Sequence, residues 1–449
     1  MQKNNIVILG AGESGVGAAL LAYANDYSVF VSDFGEIQSK YKQELEENGI
    51  SYEEKGHSEE KILAADLIIK SPGISDKAKI VLQAVAKGIE IISEIEFAYR
   101  FTRKTIIAIT GSNGKTTTTL LIHHLLEAGG YNAELAGNIG SSLARHVLAD
   151  KADIFVVELS SFQLDGMVDF KADIAVLLNI TPDHLDRYDY DFEKYAQSKL
   201  SIVNNMTAAD LLVYNLEAAE LNNRQSTLPK DLVLKTFSIA KETDAYVSNG
   251  DLVFNTSTGL TTIPKEALPL RGEHNQMNLM AAISVALAYD VDQETIIGAL
   301  SSFKNQPNRL EFITSINGVE FINDSKATNV EAVYYALGSY DQPIVWIVGG
   351  QDKGNDYAQI KSLVDERVKA MVCLGLDNTK LVEFFSDSVD NVSQTTTVEE
   401  AAEMAFNYAQ PSDIVLLSPA CASFDLFDNY AQRGEMFKEA VFNLKDKVA

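Results

Sequence analysis

Residues 105–117, TIIAITGSNGKTT, carry the strongest chemical signal in the chain. A β-branched apolar run feeds Gly111-Ser112-Asn113-Gly114-Lys115-Thr116-Thr117. A loop of this kind opening a helix is a phosphate cradle: the glycines let backbone N–H groups turn inward around an anion, the lysine adds a point charge, and a threonine hydroxyl can reach Mg²⁺. The longer form of the pattern asks for glycine at 109, where this chain has Ile109, so the flanking strand and helix must decide against an ordinary glycine turn with a solvated lysine. Glu158 follows an apolar run at 154–157, where a carboxylate could hold Mg²⁺ beside a phosphate loop; the bland alternative is a solvated acid. The stretch NITPDHLDR places His184 at a further strand end, and Lys199 lies fifteen residues beyond it. By pattern alone that lysine is a helix residue with its amine snorkelled to water.

Other segments could also bind ligands. Gly10-Ala11-Gly12-Glu13-Ser14-Gly15 follows a strand and precedes a helix, and the next strand ends at Asp33. By rule this is a dinucleotide fingerprint with an acid for a ribose, and alone it is weak. Further on come GEHNQMN (272–278), NRLE (308–311), NDSKATN (323–329), GGQDKG (349–354) and SPACASFD (418–425). Asn275 there could cap a helix, Asp324-Ser325 could be a turn, and His123 and His124 inside the loop's helix receive no function.

Alternating apolar strands and amphipathic helices must position these residues. The pattern predicts an α/β protein of parallel sheets covered on both faces, whose ligands bind at the C-terminal strand ends. A small-acidic-apolar opening recurs at 64–73, 151–161, 171–184 and 411–423, and each reads as a surface aspartate leading into a buried strand. Boundaries are expected near 98 and 306, giving domains 1–98, 99–306 and 307–449, with a hinge at Asn305-Gln306-Pro307. A chain of 449 residues with 46% hydrophobic and 22% charged residues is an ordinary soluble composition. Its net charge of −26 disfavours nucleic acid and anionic membranes, so cations for phosphorylated ligands must be local. The beginning of the sequence shows no leader pattern and no apolar run approaches the ~18 residues that span a bilayer, which predicts a cytoplasmic protein. Cys373 and Cys421 are the only cysteines and offer neither a disulfide framework nor a zinc spacing.

Read in order, the phosphate loop, His184 with Lys199, GEHNQMN, NRLE, NDSKATN, GGQDKG and SPACASFD resemble the Mur ligase family over essentially the whole length. The tail at 418–437 and the glycine-rich first turn look most like its D-glutamate-adding member. The resemblance implies three domains, a central phosphate-loop ATPase-like sheet flanked by Rossmann-like domains, and an ATP-dependent ligase of peptidoglycan precursor synthesis. The substrates implied are UDP-N-acetylmuramoyl-L-alanine, D-glutamate and ATP, joined through an acyl phosphate and a tetrahedral intermediate. It implies two Mg²⁺ ions held by Thr116, Glu158, His184 and Lys199, the last carbamylated, and a monomer as the working form. Lys115 joins the phosphate; Asn275 and Asn278 fall on the adenine side, Asp324 at the ribose and Arg309 at a phosphate. Lys326, Thr328, Lys353, Ser423 and the amide of Phe424 match the amino-acid pocket. Glu13, Ser14, Asp33, Phe34, Gly73 and Asn138 match the UDP-muramoyl site, which reassigns the first turn from dinucleotide to UDP-sugar. A family relative adding another amino acid and, remotely, a nicotinamide-dependent oxidoreductase remain as alternatives.

Overall fold

The computed structural model describes residues 4–183, 185–224, 226, 228–257 and 259–448. The chain forms two compact units, Met1–Leu268 with Met277–Phe303 and Pro269–Gln276 with Lys304–Ala449; the first carries two sheets and the second carries one. Among the described residues no helix is long and apolar enough to cross a membrane.

The first sheet is parallel throughout. Asn5–Leu9 lies between Ser28–Ser32 and Leu67–Lys70, with Ser51–Glu53 and Glu90–Ile92 at the edges. Leu9 pairs with both Ser32 and Lys70, so the glycine turn after Leu9, the Asp33-Phe34 exit and the Ser71-Pro72-Gly73 exit share one end of the sheet. Helix Glu13–Ala24 packs closely on that turn: a Cβ on Gly15 would lie 1.9 Å from the Gly10 carbonyl oxygen, so only glycine fits.

The second sheet has nine strands and is mixed. Thr105–Thr110 sits between Ile154–Glu158 and Ile174–Leu177, with Ile109 opposite Glu158 and Thr110 opposite Leu177. That register delivers the phosphate-type loop, Glu158 and the 178–181 segment to one end of the sheet. The antiparallel strands Ala245–Ser248, Asp251–Thr256 and Gly259–Ile263 extend its far edge. Their first turn, Asn249-Gly250, takes positive φ at both residues (53° and 91°), as a two-residue hairpin requires.

In the second unit a six-stranded sheet runs in the spatial order Glu311–Ile316, Val319–Asn323, Ile414–Ala420, Ile344–Gly349, Val368–Leu374, Asn391–Thr395. Asn323 pairs with Leu417 and Gly349 with Ala420, which brings three glycine- or serine-bearing exits together. Wholly buried Trp346 anchors this sheet and donates from Nε1 to the Ser418 carbonyl at 2.7 Å.

The recurrent aspartate before a strand has a structural cause. Asp66 accepts from the Asn5 amide and Asp173 from the Ile106 amide, both at 2.8 Å, so each ties the start of its strand to the neighbouring one. Asp413 departs from the expectation of a surface residue: it is buried and paired with Lys369 at 2.8 Å.

Candidate active site

Helix Lys115–Ala128 begins at Gly114, whose φ of +85° is left-handed, and ends before Gly129. The intervening loop is locked from below. Ser112 accepts the Thr181 amide on Oγ at 2.9 Å and lies 2.8 Å from the Tyr195 hydroxyl, while the Asn113 amide donates to Asn179 Oδ1 at 2.8 Å. Ser112 thereby serves loop geometry through its side chain. Lys115 folds back, its Nζ donating to the carbonyls of Gly111 at 2.7 Å and Ser112 at 2.8 Å. Thr116 and Thr117 are buried at the start of the helix.

Lys199 meets the same carbonyl. It lies on helix Phe192–Leu200, is 2% exposed, and its Nζ donates to Gly111 O at 2.7 Å. The snorkelling expectation therefore fails, because the helix turns this face inward and places Nζ 5.0 Å from the Tyr195 ring centroid. Burial, and then the Lys115 charge, pull the Lys199 ammonium well below the usual lysine range, against Asp183, Asp165 and Glu158.

Glu158 is 1% exposed, which removes its solvated alternative. Its Oε1 accepts from Asn138 Nδ2 at 2.8 Å, and Oε2 is buried without a hydrogen-bond partner. A cavity of about 310 Å³ collects Gly73, Lys115, Asn138, Ser160, Asp183 and Lys199. Arg187 holds the 72–74 wall of that cavity by donating to the carbonyls of Pro72 at 3.2 Å and Gly73 at 3.4 Å. His184 lies outside the described residues. No three His, Cys, Asp or Glu side chains cluster as a metal site among the described residues. An orphaned buried carboxylate oxygen beside a threonine-bearing phosphate-type loop nonetheless fits Mg²⁺, which binds through one or two carboxylates plus substrate phosphates.

Several other sequence-predicted residues of this unit lie outside the lining of that cavity. The Asn278 side chain lies against the loop: its Oδ1 accepts from Thr118 Oγ1 at 3.2 Å and would be 2.3 Å from a Cβ on Gly114. Glu13 pairs with Arg145 at 2.8 Å and accepts from the Ser142 amide at 3.2 Å. Ser14 is half-buried in the first turn of its helix. Asp33 accepts from the Ala11 amide at 2.7 Å on one oxygen and from the Gly35 amide at 2.8 Å on the other, which ties the first glycine turn to this strand exit. Phe34, at the same exit, is 76% exposed.

The second unit gathers its own set. Lys326 Nζ donates to Gln306 Oε1 at 2.9 Å and stands 5.4 Å over the Tyr430 ring, and the Thr328 amide donates to the Lys326 carbonyl at 3.0 Å. Lys353 Nζ is 5.8 Å from the exposed Phe424 ring, with Ser423 buried beside it in sequence. Asp324 is buried, accepting from Ser418 Oγ at 2.9 Å and the Leu310 amide at 3.2 Å; burial raises its carboxyl to about 7 although Arg309 lowers it. Asn275 is buried and donates to the Arg271 carbonyl at 2.8 Å.

Sequence reasoning missed Arg433. Its wholly buried guanidinium donates to Ser325 O at 2.8 Å, Ser325 Oγ at 3.0 Å, Cys421 O at 3.3 Å and Gly349 O at 3.4 Å, binding three motif-bearing exits together. A lone arginine in a helical tail gave no signal. Tyr195 was also missed, although its place four residues before Lys199 puts both on one helix face.

Comparison with known proteins agrees with this geometry. Residues 109–286 match the family model for the Mur ligase middle domain, 308–421 that for the Mur ligase glutamate ligase domain, and 5–80 that for the MurD N-terminal domain. The chain is 50% identical to a UDP-N-acetylmuramoylalanine–D-glutamate ligase of Cytophaga hutchinsonii over 98% of this chain and 99% of that one. It is 49% identical, at the same coverage, to the ligase of that name in Porphyromonas gingivalis. In fold it is similar to the MurF ligase of Thermotoga maritima solved with ADP, with a TM-score of 0.63 at 17% identity over 100% of this chain and 99% of that one. A UDP-N-acetylmuramate-alanine ligase, MurC, from the same organism gives 0.61 at 18% identity over 98% and 100%.

Proposed function

The chain belongs to the Mur ligase family, and from that premise we infer that it joins the amine of D-glutamate to the carboxylate of UDP-N-acetylmuramoyl-L-alanine, with ATP converted to ADP and phosphate. The reaction is a cytoplasmic step in peptidoglycan precursor synthesis. The observation that carries it is the cavity joining Lys115, Asn138, Asp183 and Lys199, with the buried, unpartnered Glu158 oxygen behind Asn138.

A carboxylate is a poor electrophile at neutral pH. Its oxygen must attack the γ-phosphorus of ATP, releasing ADP, so that phosphate becomes the leaving group. The 111–117 loop at the N-terminus of helix Lys115–Ala128 binds the ATP phosphates, and Lys115, which pairs with loop carbonyls in the free protein, exchanges them for the transferring phosphoryl oxygens. Thr116, Glu158 and a carbamylated Lys199 would hold Mg²⁺, which when bound neutralises phosphate charge. The buried Lys199 amine, held well below the usual lysine range by burial and the Lys115 charge, supports that modification, because CO₂ adds to an uncharged amine and the adduct sheds a proton to leave an anionic oxygen ligand. Lys326, Thr328, Lys353 and Ser423 orient the dicarboxylate. The amine then attacks the acyl carbon, loses a proton, and phosphate departs from the tetrahedral centre.

Phosphate release measured with ATP, Mg²⁺ and UDP-N-acetylmuramoyl-L-alanine tests this. Release should require D-glutamate and fail with L-glutamate, glycine, L-alanine or L-lysine. Turnover with another amino acid overturns the specificity, and none at all overturns the ligase assignment. The division at 98 and 306 into UDP-sugar, ATP and amino-acid domains is supported by the three successive sheets.

A further inference from the structure

The first sheet holds a second cavity, of about 480 Å³, whose walls include Asp33, Phe34, His57, Ile74, Ala78 and Ile80. In an open α/β sheet a diphosphate on the first strand–helix turn directs its nucleoside past the end of the second strand, which here is Ser32. On the proposed function, on which this inference rests, a flat base meets the Phe34 ring and the aliphatic walls there. Aromatic and aliphatic surfaces accept any base, so discrimination needs a polar group of fixed hydrogen-bonding sense.

His57 has one. Its ring centre is 5.7 Å from that of Phe34, and its Nδ1 lies 2.7 Å from Ser32 Oγ. Ser32 donates its single hydroxyl proton to Glu53 Oε1 at 2.7 Å. Glu53 also accepts from the Ser58 amide at 2.7 Å and from the Ser58 hydroxyl. Although burial opposes it, these bonds hold the Glu53 carboxyl below its usual range, so it has no proton to return. Ser32 Oγ, its proton committed, can only accept from the histidine. In the neutral ring Nδ1 therefore carries the hydrogen and Nε2 is left as a lone-pair acceptor.

We propose that His57 reads the nucleobase: its Nε2 accepts the N3–H of uracil and opposes the N3 lone pair of cytosine, so that the Glu53–Ser32–His57 relay selects uridine over cytidine diphosphate substrates. Uracil presents a donor at N3 and cytosine an acceptor, so the relay's polarity decides which base leaves no unpaired group.

The test compares UDP- and CDP-N-acetylmuramoyl-L-alanine in turnover, and UDP and CDP in calorimetric binding, for the wild type, His57→Phe and Ser32→Ala. The wild type should favour uridine by on the order of 10- to 100-fold, the range expected from one lost hydrogen bond and one unpaired group. His57→Phe keeps the ring but should raise the KM for the UDP-substrate by a similar factor, with kcat within about threefold, and bring the uridine-to-cytidine ratio towards one. Ser32→Ala removes the tautomer lock, together with the serine's bond to Glu53, and should lower the ratio while UDP binding persists; it also serves if the phenylalanine variant fails to fold. Either variant discriminating as the wild type does overturns the proposal. A wild type that binds UDP over CDP through His57 yet releases no phosphate overturns the ligase assignment and leaves this inference standing.

Discussion

Gly114→Ala should uncouple the phosphate loop from its helix. The residue sits at φ +85°, where a non-glycine residue costs about 1–2 kcal/mol. The new Cβ would stand 2.3 Å from Asn278 Oδ1 and 3.2 Å from Leu178 Cδ1, so the asparagine must leave the position in which it accepts from Thr118. Depriving that buried hydroxyl of its acceptor costs about 1–3 kcal/mol. Because Asn278 can swing away, the lower half of the sum applies, about 2–3 kcal/mol, and it falls on the conformation that binds phosphate. The Kd for a non-hydrolysable ATP analogue, measured by calorimetry with Mg²⁺, should rise about 30- to 150-fold. Gly298→Ala is the control: it lies inside helix Gln293–Ser302 with nothing within 4 Å of its Cβ, and should stabilise by about 1 kcal/mol without touching affinity. A Gly114→Ala protein that binds the analogue within threefold of wild type and unfolds at the same urea concentration refutes the reasoning.

Glu94 is buried, with Oε1 accepting from the Ala144 amide at 2.6 Å and Oε2 unpartnered; burial, then the charge of Glu13, raises its carboxyl to about 8. The folded state thus keeps a proton the unfolded chain loses from pH 4.5 upward, so its contribution is whole below 4.5 and is lost as pH rises to about 8. Glu94→Gln should flatten that slope and gain about 3 kcal/mol on the wild type at pH 7 in urea unfolding, with parallel curves as the refuting result. Lys199→Ala should lose most phosphate release and regain part of it in short carboxylic acids; full activity without rescue contradicts the carbamylated-ligand role. Arg433→Lys keeps the charge but has three donors for the acceptors a fork now serves, so unfolding should cost about 2–3 kcal/mol less and the KM for D-glutamate should rise. An unchanged KM would mean that Arg433 does not position the pocket.

Much was legible in the chain because its signals are local. Glycine at 111 and 114, an apolar strand before them and a helix after them specify a phosphate-type loop through backbone geometry, and continuous Ile, Val and Leu runs specify strands buried on both faces. The order of the later motifs specified the family. Register and burial were not legible, since both depend on segments far apart in sequence. Lys199 looked like a solvated helix residue until the fold set its amine on the Gly111 carbonyl, 88 positions away, in a site too dry to favour its charge. Glu158 looked like a strand-end acid until its oxygen was enclosed without a partner. Asp33 matched a ribose-binding acid by position, and only tertiary packing showed that it also pins the first turn and its own exit through the Ala11 and Gly35 amides. The sequence by itself determined which elements form and what chemistry their ends can carry; the tertiary structure decided which side chains lose water and which partners they meet, because desolvation and hydrogen-bond pairing are set by neighbours that only folding supplies.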